Sequence, residues 1–541
     1  MAQISVNELT FCYEGSFDNI FENVSFSIDT NWKIGFIGRN GKGKTTFLNL
    51  LLGKYEYQGS ISTTTFFDYF PYKLSDEQLN KEAAMFIEDL KPGCELWKVL
   101  CEMNQLQIDA EVLYRPFKTL SNGERTKVML AVLFSGENDF LLIDEPTNHL
   151  DMESREVVKE YLKSKKGFIL VSHDRDLLDA CVDHVLVLNR SSIEVQKGNF
   201  SSWWENKNKK DVFAMTENSK HLKEINKLKV AAKQTDRWAD KNESSKIGFD
   251  PSKEHDRSIS TRSYIGAKTK KMEKRVKQID NRISREIEEK EGLLQDLEKK
   301  IDLKIIPLQH YKSKLVYLKD YGIKYKDSEK VLFEKLNLEI NQGDRIALNG
   351  KNGCGKSSLI KSILAKVGEF SDEMSINKID IEKLSERKLS ENELSSDKLQ
   401  VDNTNEFNIE ESGTLNLASG LVISYINQDT SFLNGSISDF CKKRQLDESL
   451  LCAILRQLDM ERVQFMKKME DFSEGQKKKV LIAASLLTSA HLYIWDEPLN
   501  YIDVFSRMQI ENLILTYKPT MLFVEHDVMF KEKIATGVVE M

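Results

Sequence analysis

The sequence predicts an α/β protein made of two tandem copies of one fold, joined by a long antiparallel α-helical hairpin. Three observations carry this expectation. A glycine-rich loop of the form GxxxxGK[ST] occurs twice, at 38–45 and at 350–357. Each loop is followed by the same strings in the same order, an internal repeat of long period. Between the copies lies a basic segment whose apolar residues recur at helical spacing. At 541 residues the chain is too long for one hydrophobic core and fits two domains plus a connector.

In the first copy, strand-like patterns at 4–13 and 24–28 precede Ile34-Gly35-Phe36-Ile37, which feeds Gly38-Arg39-Asn40-Gly41-Lys42-Gly43-Lys44-Thr45-Thr46 and a helix-like run. A strand, a glycine-rich turn and a helix start let backbone N–H groups wrap phosphates while Lys44 neutralises charge and Thr45 ligates magnesium. Phe140-Leu141-Leu142-Ile143 has the apolar run of a buried parallel strand and delivers Asp144 and Glu145 at its carboxyl end, where open α/β sheets hold ligands. Asp144 is expected to hold magnesium, and Glu145 to orient and deprotonate the attacking water. Upstream, Ser121-Asn122-Gly123-Glu124 places a hydroxyl and small residues ahead of a helix, where backbone can approach a phosphate. Downstream stand Thr147-Asn148-His149-Leu150-Asp151 and Ser172-His173-Asp174; His173 is either a γ-phosphate contact or a satisfied structural histidine.

The second copy repeats this order. Gly350-Lys351-Asn352-Gly353-Cys354-Gly355-Lys356-Ser357-Ser358 is its phosphate loop, followed by Gln428, by Ser473-Glu474-Gly475, by Asp496-Glu497 and by His526-Asp527. The strings LSNGE (120–124) and FSEGQ (472–476) resemble the signature sequence of ABC-type ATPases, and the motif order is theirs. That resemblance implies two ABC-type domains facing head to tail, each ATP held by one domain's phosphate loop and the other's signature. Lys44, Thr45, Asp144, Glu145 and His173 would then act with Ser473 and Gly475. Lys356, Ser357, Gln428, Asp496, Glu497 and His526 would act with Ser121 and Gly123. Tyr13 and Tyr325 match the aromatic positions that stack on adenine, or simply pack at a strand end. The resemblance also implies ATP and magnesium as ligands, with both ATP sites formed within one chain.

Two departures make the sites unequal. Tyr72 stands where the first domain should carry the magnesium- and water-contacting glutamine, and Leu499-Asn500-Tyr501 replaces Thr147-Asn148-His149. Both copies keep a carboxylate at the catalytic position.

The formal net charge of −7 conceals regional asymmetry. Between 207 and 285 basic residues exceed acidic ones by roughly ten, whereas between 371 and 413 acids exceed bases by roughly seven. The expected domains are 1–204 and 312–541, with a basic helical hairpin over 205–311 and its tip at about 241–266. Leu222, Ile225, Leu228 and Ala232, then Met272, Val276, Ile279, Ile283, Ile287, Leu294, Leu297 and Ile301, follow helical spacing. Two helices of about 35 residues reach roughly 50 Å. Trp238 could stack on a base or lock the hairpin. The segment 371–413, rich in Ser, Asn, Glu and Lys, reads as a flexible insertion. Seven scattered cysteines without CxxC spacing argue against zinc, iron–sulfur clusters and a disulfide framework.

Paired ATPase motifs, a basic helical connector and no apolar run long enough to span a bilayer resemble the ABC-F family of ribosome-associated ATPases, and within it the antibiotic-resistance, ribosomal protection branch of Lsa and Sal type. The strings at 30–46, 114–128, 167–175, 265–268 and 493–505 carry the likeness. It implies a 70S ribosome partner, with 23S rRNA and tRNA. The connector would enter the tRNA exit site toward the peptidyl-transferase centre and promote release of lincosamide, pleuromutilin and streptogramin A antibiotics. The tip residues Ser258, Ile259, Ser260, Thr261, Arg262, Ser263 and Tyr264 would do this. The rival expectations are a housekeeping factor of the same family, the ATPase subunit of a transporter, and a chromosome-maintenance ATPase. The opening residues run directly into a strand pattern without a signal-peptide profile, so a cytoplasmic protein without a membrane partner is expected.

Overall fold

The computed structural model describes residues 3–13, 19–136, 139–148, 150–189, 192–247, 274, 277–279, 281–283, 285, 304–325, 331–370 and 409–541. They form two compact units, one of 1–201 with 301–541 and one of 202–300. The first unit holds both α/β copies.

In the first copy, Gln3–Phe11 alternates apolar and polar residues and buries Ile4, Val6, Leu9 and Phe11, so it serves as the middle strand of a small antiparallel sheet between Phe21–Asp29 and Gln58–Ser62. The second sheet runs Phe66–Phe70, Asp139–Asp144, Phe168–Val171, Lys33–Gly38, His184–Leu188 and Ile193–Lys197, all parallel except the last pairing. Its central strands are continuous apolar runs because helices and the small sheet cover both faces. Phe47 fixes the helix Lys44–Leu51 in this core, its ring 5.5 Å from that of Phe36 and 5.9 Å from that of Phe21. The phosphate loop thereby stands at the carboxyl end of Lys33–Gly38. The second copy repeats the arrangement, with a parallel sheet ordered Ile423–Ile426, Leu492–Asp496, Met521–Val524, Arg345–Asn349, Gly537–Glu540.

Gly43 closes the first loop at φ +105°, and a β-carbon there would lie 2.5 Å from Ile20 Cγ2. Gly43→Ala is therefore expected to cost about 1–3 kcal/mol of stability; an unchanged melting temperature would contradict the strain.

Two expected boundaries move. Ile409–Leu417 pairs in register with Lys314–Tyr325, so 409–413 belong to a strand rather than to the insertion; residues 371–408 lie outside the described ones. The connector also rejoins the second copy before 312. Ile305 is buried in that copy's core, and Leu308 N–H donates to Ala490 O at 2.9 Å.

Phe200–Ile247, which belongs to the other unit from 202 onward, is a single 48-residue helix, so 241–247, expected in the tip, are helical. Ala214 and Ile225 on it are buried, whereas Leu222 is half exposed. The tip residues 258–264, and the seam positions Met272, Val276, Ile287, Leu294, Leu297 and Ile301, fall outside the described residues. Among the described residues no helix is long and apolar enough to cross a membrane, and no group of His, Cys, Asp or Glu forms a metal cluster.

Candidate nucleotide-binding sites

Each site begins at the carboxyl edge of a parallel sheet. In the first, Lys44 is buried, and its Nζ donates to Gly38 O at 2.7 Å, Arg39 O at 3.3 Å and Asn40 Oδ1 at 3.2 Å. Thr45 Oγ1 donates to Asp144 Oδ2 at 3.0 Å. The Tyr13 hydroxyl lies 2.7 Å from Thr46 Oγ1, and the Tyr13 ring stands edge-on to Phe11 and Tyr55. In the second, Lys356 Nζ donates to Gly350 O at 2.7 Å and Lys351 O at 3.0 Å.

The glutamates occupy matching, unusual backbone. Glu145 has φ +52° and Glu497 φ +48°, with N–H groups donating to Val171 O at 2.9 Å and Val524 O at 3.0 Å. That conformation swings each carboxylate off its strand end toward a histidine: His173 Nε2 is 3.4 Å from Glu145 Oε1, and His526 Nε2 is 3.3 Å from Glu497 Oε1. Their electrostatics differ. Burial, reinforced by Asp144, pushes the Glu145 carboxyl up to about 8 against the pull of Lys44 and Arg507. Burial would raise Glu497 too, but His526, Lys478 and Gln428 together hold it below the ordinary carboxylate value. Burial, with the charges of Lys44 and Arg507, keeps His173 well below the usual imidazole value.

The halves interlock. A β-carbon on Gly475 of the second copy would lie 2.7 Å from Tyr501 O and 3.6 Å from Asn40 Nδ2 of the first, and Asn40 Nδ2 itself donates to Tyr501 O at 2.7 Å. Ion pairs Arg39–Asp459 at 2.9 Å and Lys42–Glu461 at 2.7 Å hold the same contact. On the other side a cavity of about 300 Å³ is lined by Tyr325, Asn352, Gly353, Gly355, Lys356, Ser357, Ser358, Gln428, Glu497 and His526 of the second copy, and by Asn122 and Arg155 of the first. Ser121 and Ser473 each cap the following helix, accepting from Glu124 N at 3.2 Å and from Gln476 N at 3.3 Å. Both signature strings are thus helix N-termini, a setting suited to anions. Gly123 follows Asn122 on the first of these helices.

Tyr72 stands in the register of Gln428, as expected, and does not make the glutamine's contact. Phe70 pairs with Ile143 as Ile426 pairs with Trp495, so Tyr72 does match Gln428 along the chain. Gln428 Nε2 donates to Glu497 Oε2 at 2.7 Å, but the Tyr72 hydroxyl turns away and donates to Asp68 Oδ2 at 2.7 Å, where Lys91 also binds at 2.9 Å. It is Tyr69 whose hydroxyl reaches Asp144 Oδ2, at 3.1 Å. Only the strand's alternation could have pointed to Tyr69. Asn500 was also missed: its Nδ2 donates to Glu497 Oε2 at 2.8 Å. Leu499 is a core residue whose N–H donates to the buried Glu525 Oε1 at 2.8 Å. His149 lies outside the described residues.

The donor sets fit a hard cation beside phosphates. Asp144 Oδ2 shares a hydroxyl from the phosphate-loop Thr45, and the buried Asp496 Oδ1 has no hydrogen-bond partner in the protein. Tyr69→Phe is expected to raise the magnesium concentration needed for half-maximal ATP turnover several-fold, because Asp144 loses a charge-assisted hydrogen bond that orients it. Equal magnesium titrations of the two proteins would exclude this.

Two phosphate loops, each faced by residues of the other half's helix-capping glycine string, define a tandem P-loop protein whose two candidate nucleotide sites lie between the halves. The chain belongs to the ABC transporter family, whose family model matches residues 21–148 and 333–500, one ATPase domain in each half. It is 26% identical over 545 residues to the ATP-binding protein Uup of Buchnera aphidicola subsp. Acyrthosiphon pisum, covering 95% of this chain and 77% of Uup. It is likewise 26% identical over 534 residues to the ribosome protection protein VmlR of Bacillus subtilis, covering 96% of this chain and 84% of VmlR. Among solved structures, the complex of archaeal ribosomal stalk protein aP1 with the archaeal ribosome recycling factor aABCE1 matches with a TM-score of 0.56 at 16% identity, covering 98% of this chain and 87% of that one. That likeness concerns the fold.

Proposed function

We propose that this protein is an ABC-F ribosome protection ATPase: ATP binding closes its two domains and lets the connector enter the ribosome, and hydrolysis reopens them. The observation that carries the reading is the likeness to VmlR along 96% of the chain, which spans the connector as well as both ATPase domains. The basic excess of the connector suits a rod among rRNA phosphates.

At each site the chain's own groups divide the work. The loop residues Gly38, Asn40, Gly41, Gly43, Lys44, Thr45 and Thr46, and Gly350, Asn352, Gly353, Gly355, Lys356, Ser357 and Ser358, bind the phosphates, with Ser473 and Gly475 or Ser121 and Gly123 facing them from the other half. Tyr13 and Tyr325 flank the adenine positions. Thr45 with Asp144, and Ser357, Asp496 and Gln428, would hold Mg2+, which neutralises phosphate charge when bound. Glu497, and Glu145 once it is ionised, take the proton of the water that attacks the γ-phosphorus as the bond from phosphorus to the bridging oxygen breaks; His526 and His173 lie beside those carboxylates at 3.3 Å and 3.4 Å.

Drug release from the peptidyl-transferase region is the proposed outcome, with 258–264 as the acting tip. The test expresses the intact chain, and a variant with 258–264 replaced by a Gly/Ser loop, in a susceptible Gram-positive host. Protection against lincosamides, pleuromutilins and streptogramin A by the intact chain alone is expected. Ribosome binding without protection would assign the protein to the housekeeping factors of the same family, and absence of ribosome binding would refute the reading.

A further inference from the structure

The two copies are related by motif register, and that register makes one buried ion pair conspicuous because it occurs on one side only. Arg175 follows His173-Asp174 and opens the helix Arg175–Cys181. Its guanidinium crosses between the halves: Nη1 donates to Glu511 Oε2 at 3.1 Å, Nη2 donates to Glu511 Oε1, and Nη2 lies 3.8 Å from Asp527 Oδ2. All three side chains are at most 3% exposed. Asp527 is the residue after His526 and caps the helix Val528–Ile534. It also accepts from Arg507 Nη1 at 3.1 Å, and Arg507 in turn donates to Leu499 O and Ile502 O, both at 2.9 Å. One guanidinium therefore bridges the backbone segment carrying His173 and the one carrying His526. Through Asp527 and Arg507 it also reaches the 499–502 loop, in which Tyr501 O accepts from Asn40 Nδ2 of the first phosphate loop.

The counterpart place holds no such bridge. The helix caps Asp151 and Asp503, and the histidines, equate Arg155 with Arg507, Lys159 with Glu511 and Arg175 with Val528. Arg155 still reaches Asp174, at 3.6 Å. Lys159, however, pairs within its own half, with Asp176 at 2.8 Å and Glu156 at 2.6 Å. A cavity of about 20 Å³ bordered by Lys159, Asp174, His526 and Val528 occupies the place of the bridge.

We propose that Arg175 is a positioning residue that couples the two ATP sites, tying the His173 segment to the His526 segment so that both catalytic carboxylates are brought to order together. It touches no reacting atom. A buried, bidentate arginine–carboxylate contact suits this role because its planar fork fixes direction as well as distance. The inference rests on reading Glu145 and Glu497 as the hydrolytic carboxylates. Coupling between distinct sites is a free energy that shifts affinity typically 5–150-fold.

The test measures ATP turnover of the full chain, of Arg175→Met and of Arg175→Lys, each also carrying Glu145→Gln or Glu497→Gln. In the parent, turnover with both sites intact is expected to exceed the sum of the two single-site variants at least about fivefold, with a Hill coefficient above one. Arg175→Met should bring the ratio and the Hill coefficient to about one, while half-saturation by ATP moves little. Arg175→Lys, which keeps the charge and one contact to Glu511, should fall between. A loss caused only by weakened packing would not distinguish the lysine from the methionine variant. An unchanged Hill coefficient in Arg175→Met, or in Arg175→Lys should the methionine variant not fold, overturns the proposal. Single Gln variants that hydrolyse ATP at the parental rate overturn the glutamate assignment instead, and leave the Hill coefficient to decide the role of Arg175.

Discussion

Replacing both Glu145 and Glu497 by glutamine is expected to lower ATP turnover by about 10²–10⁴-fold, the usual contribution of a positioned acid–base group, while ATP still binds. The magnitude follows from placement. Both glutamates sit at positive φ, a conformation uncommon for a residue with a β-carbon, and both are anchored through their N–H groups to the neighbouring strand. Glutamine has the same shape, so the backbone and the contacts at 3.4 Å and 3.3 Å from His173 and His526 have no steric reason to move. What is lost is a group able to accept a proton. Under the proposed function the double variant should also remain on ribosomes in ATP and leave them when ATP is removed, which co-sedimentation would read. Turnover within a fewfold of the parent would exclude both glutamates from catalysis.

Substitution of Gly475 by valine is expected to abolish ATP turnover at the first site, and Gly475→Ala to reduce it about tenfold or more. A β-carbon there would meet the carbonyl oxygen of Tyr501 at 2.7 Å, and a backbone oxygen held by Asn40 cannot retreat like the end of a flexible side chain. The matching Gly123 is less crowded: its β-carbon would meet Ser154 Oγ at 3.2 Å, a side-chain atom able to shift. Gly123→Ala should therefore be the milder of the two. Measuring each alanine variant in the background that silences the opposite glutamate would separate the sites. Equal losses would mean that crowding at Gly475 does not govern closure.

The phosphate loops, the Asp-Glu strand ends and the histidines were legible because each motif is a local event. A strand, a turn of fixed length and a helix start place their residues whatever surrounds them. The register Phe70–Ile143 against Ile426–Trp495 likewise bears out that Tyr72 and Gln428 are equivalent along the chain. The contact was not legible, since nothing in the order of residues says that Asp68 and Lys91 would draw the Tyr72 hydroxyl aside and leave Tyr69 beside Asp144. The boundary errors have a similar origin. The acidic composition that marks 371–408 continues into 409–413, where pairing with Lys314–Tyr325 overrides it.

By itself the sequence determined that this protein has two phosphate-binding α/β domains, that each carries a carboxylate after its aspartate, and that a long basic helical segment separates them. These follow from periodicity and from chemistry confined to a few consecutive residues. Only the tertiary structure decided how the halves meet. Gly475 lies over Asn40, Asn122 lines the cavity of the second loop, and Arg175 finds Glu511 336 residues away, while the equivalent Val528 and Lys159 make no such pair. Such partners depend on the apposition of two folded surfaces, and a single buried charge pair is settled by which carboxylate that apposition brings within reach.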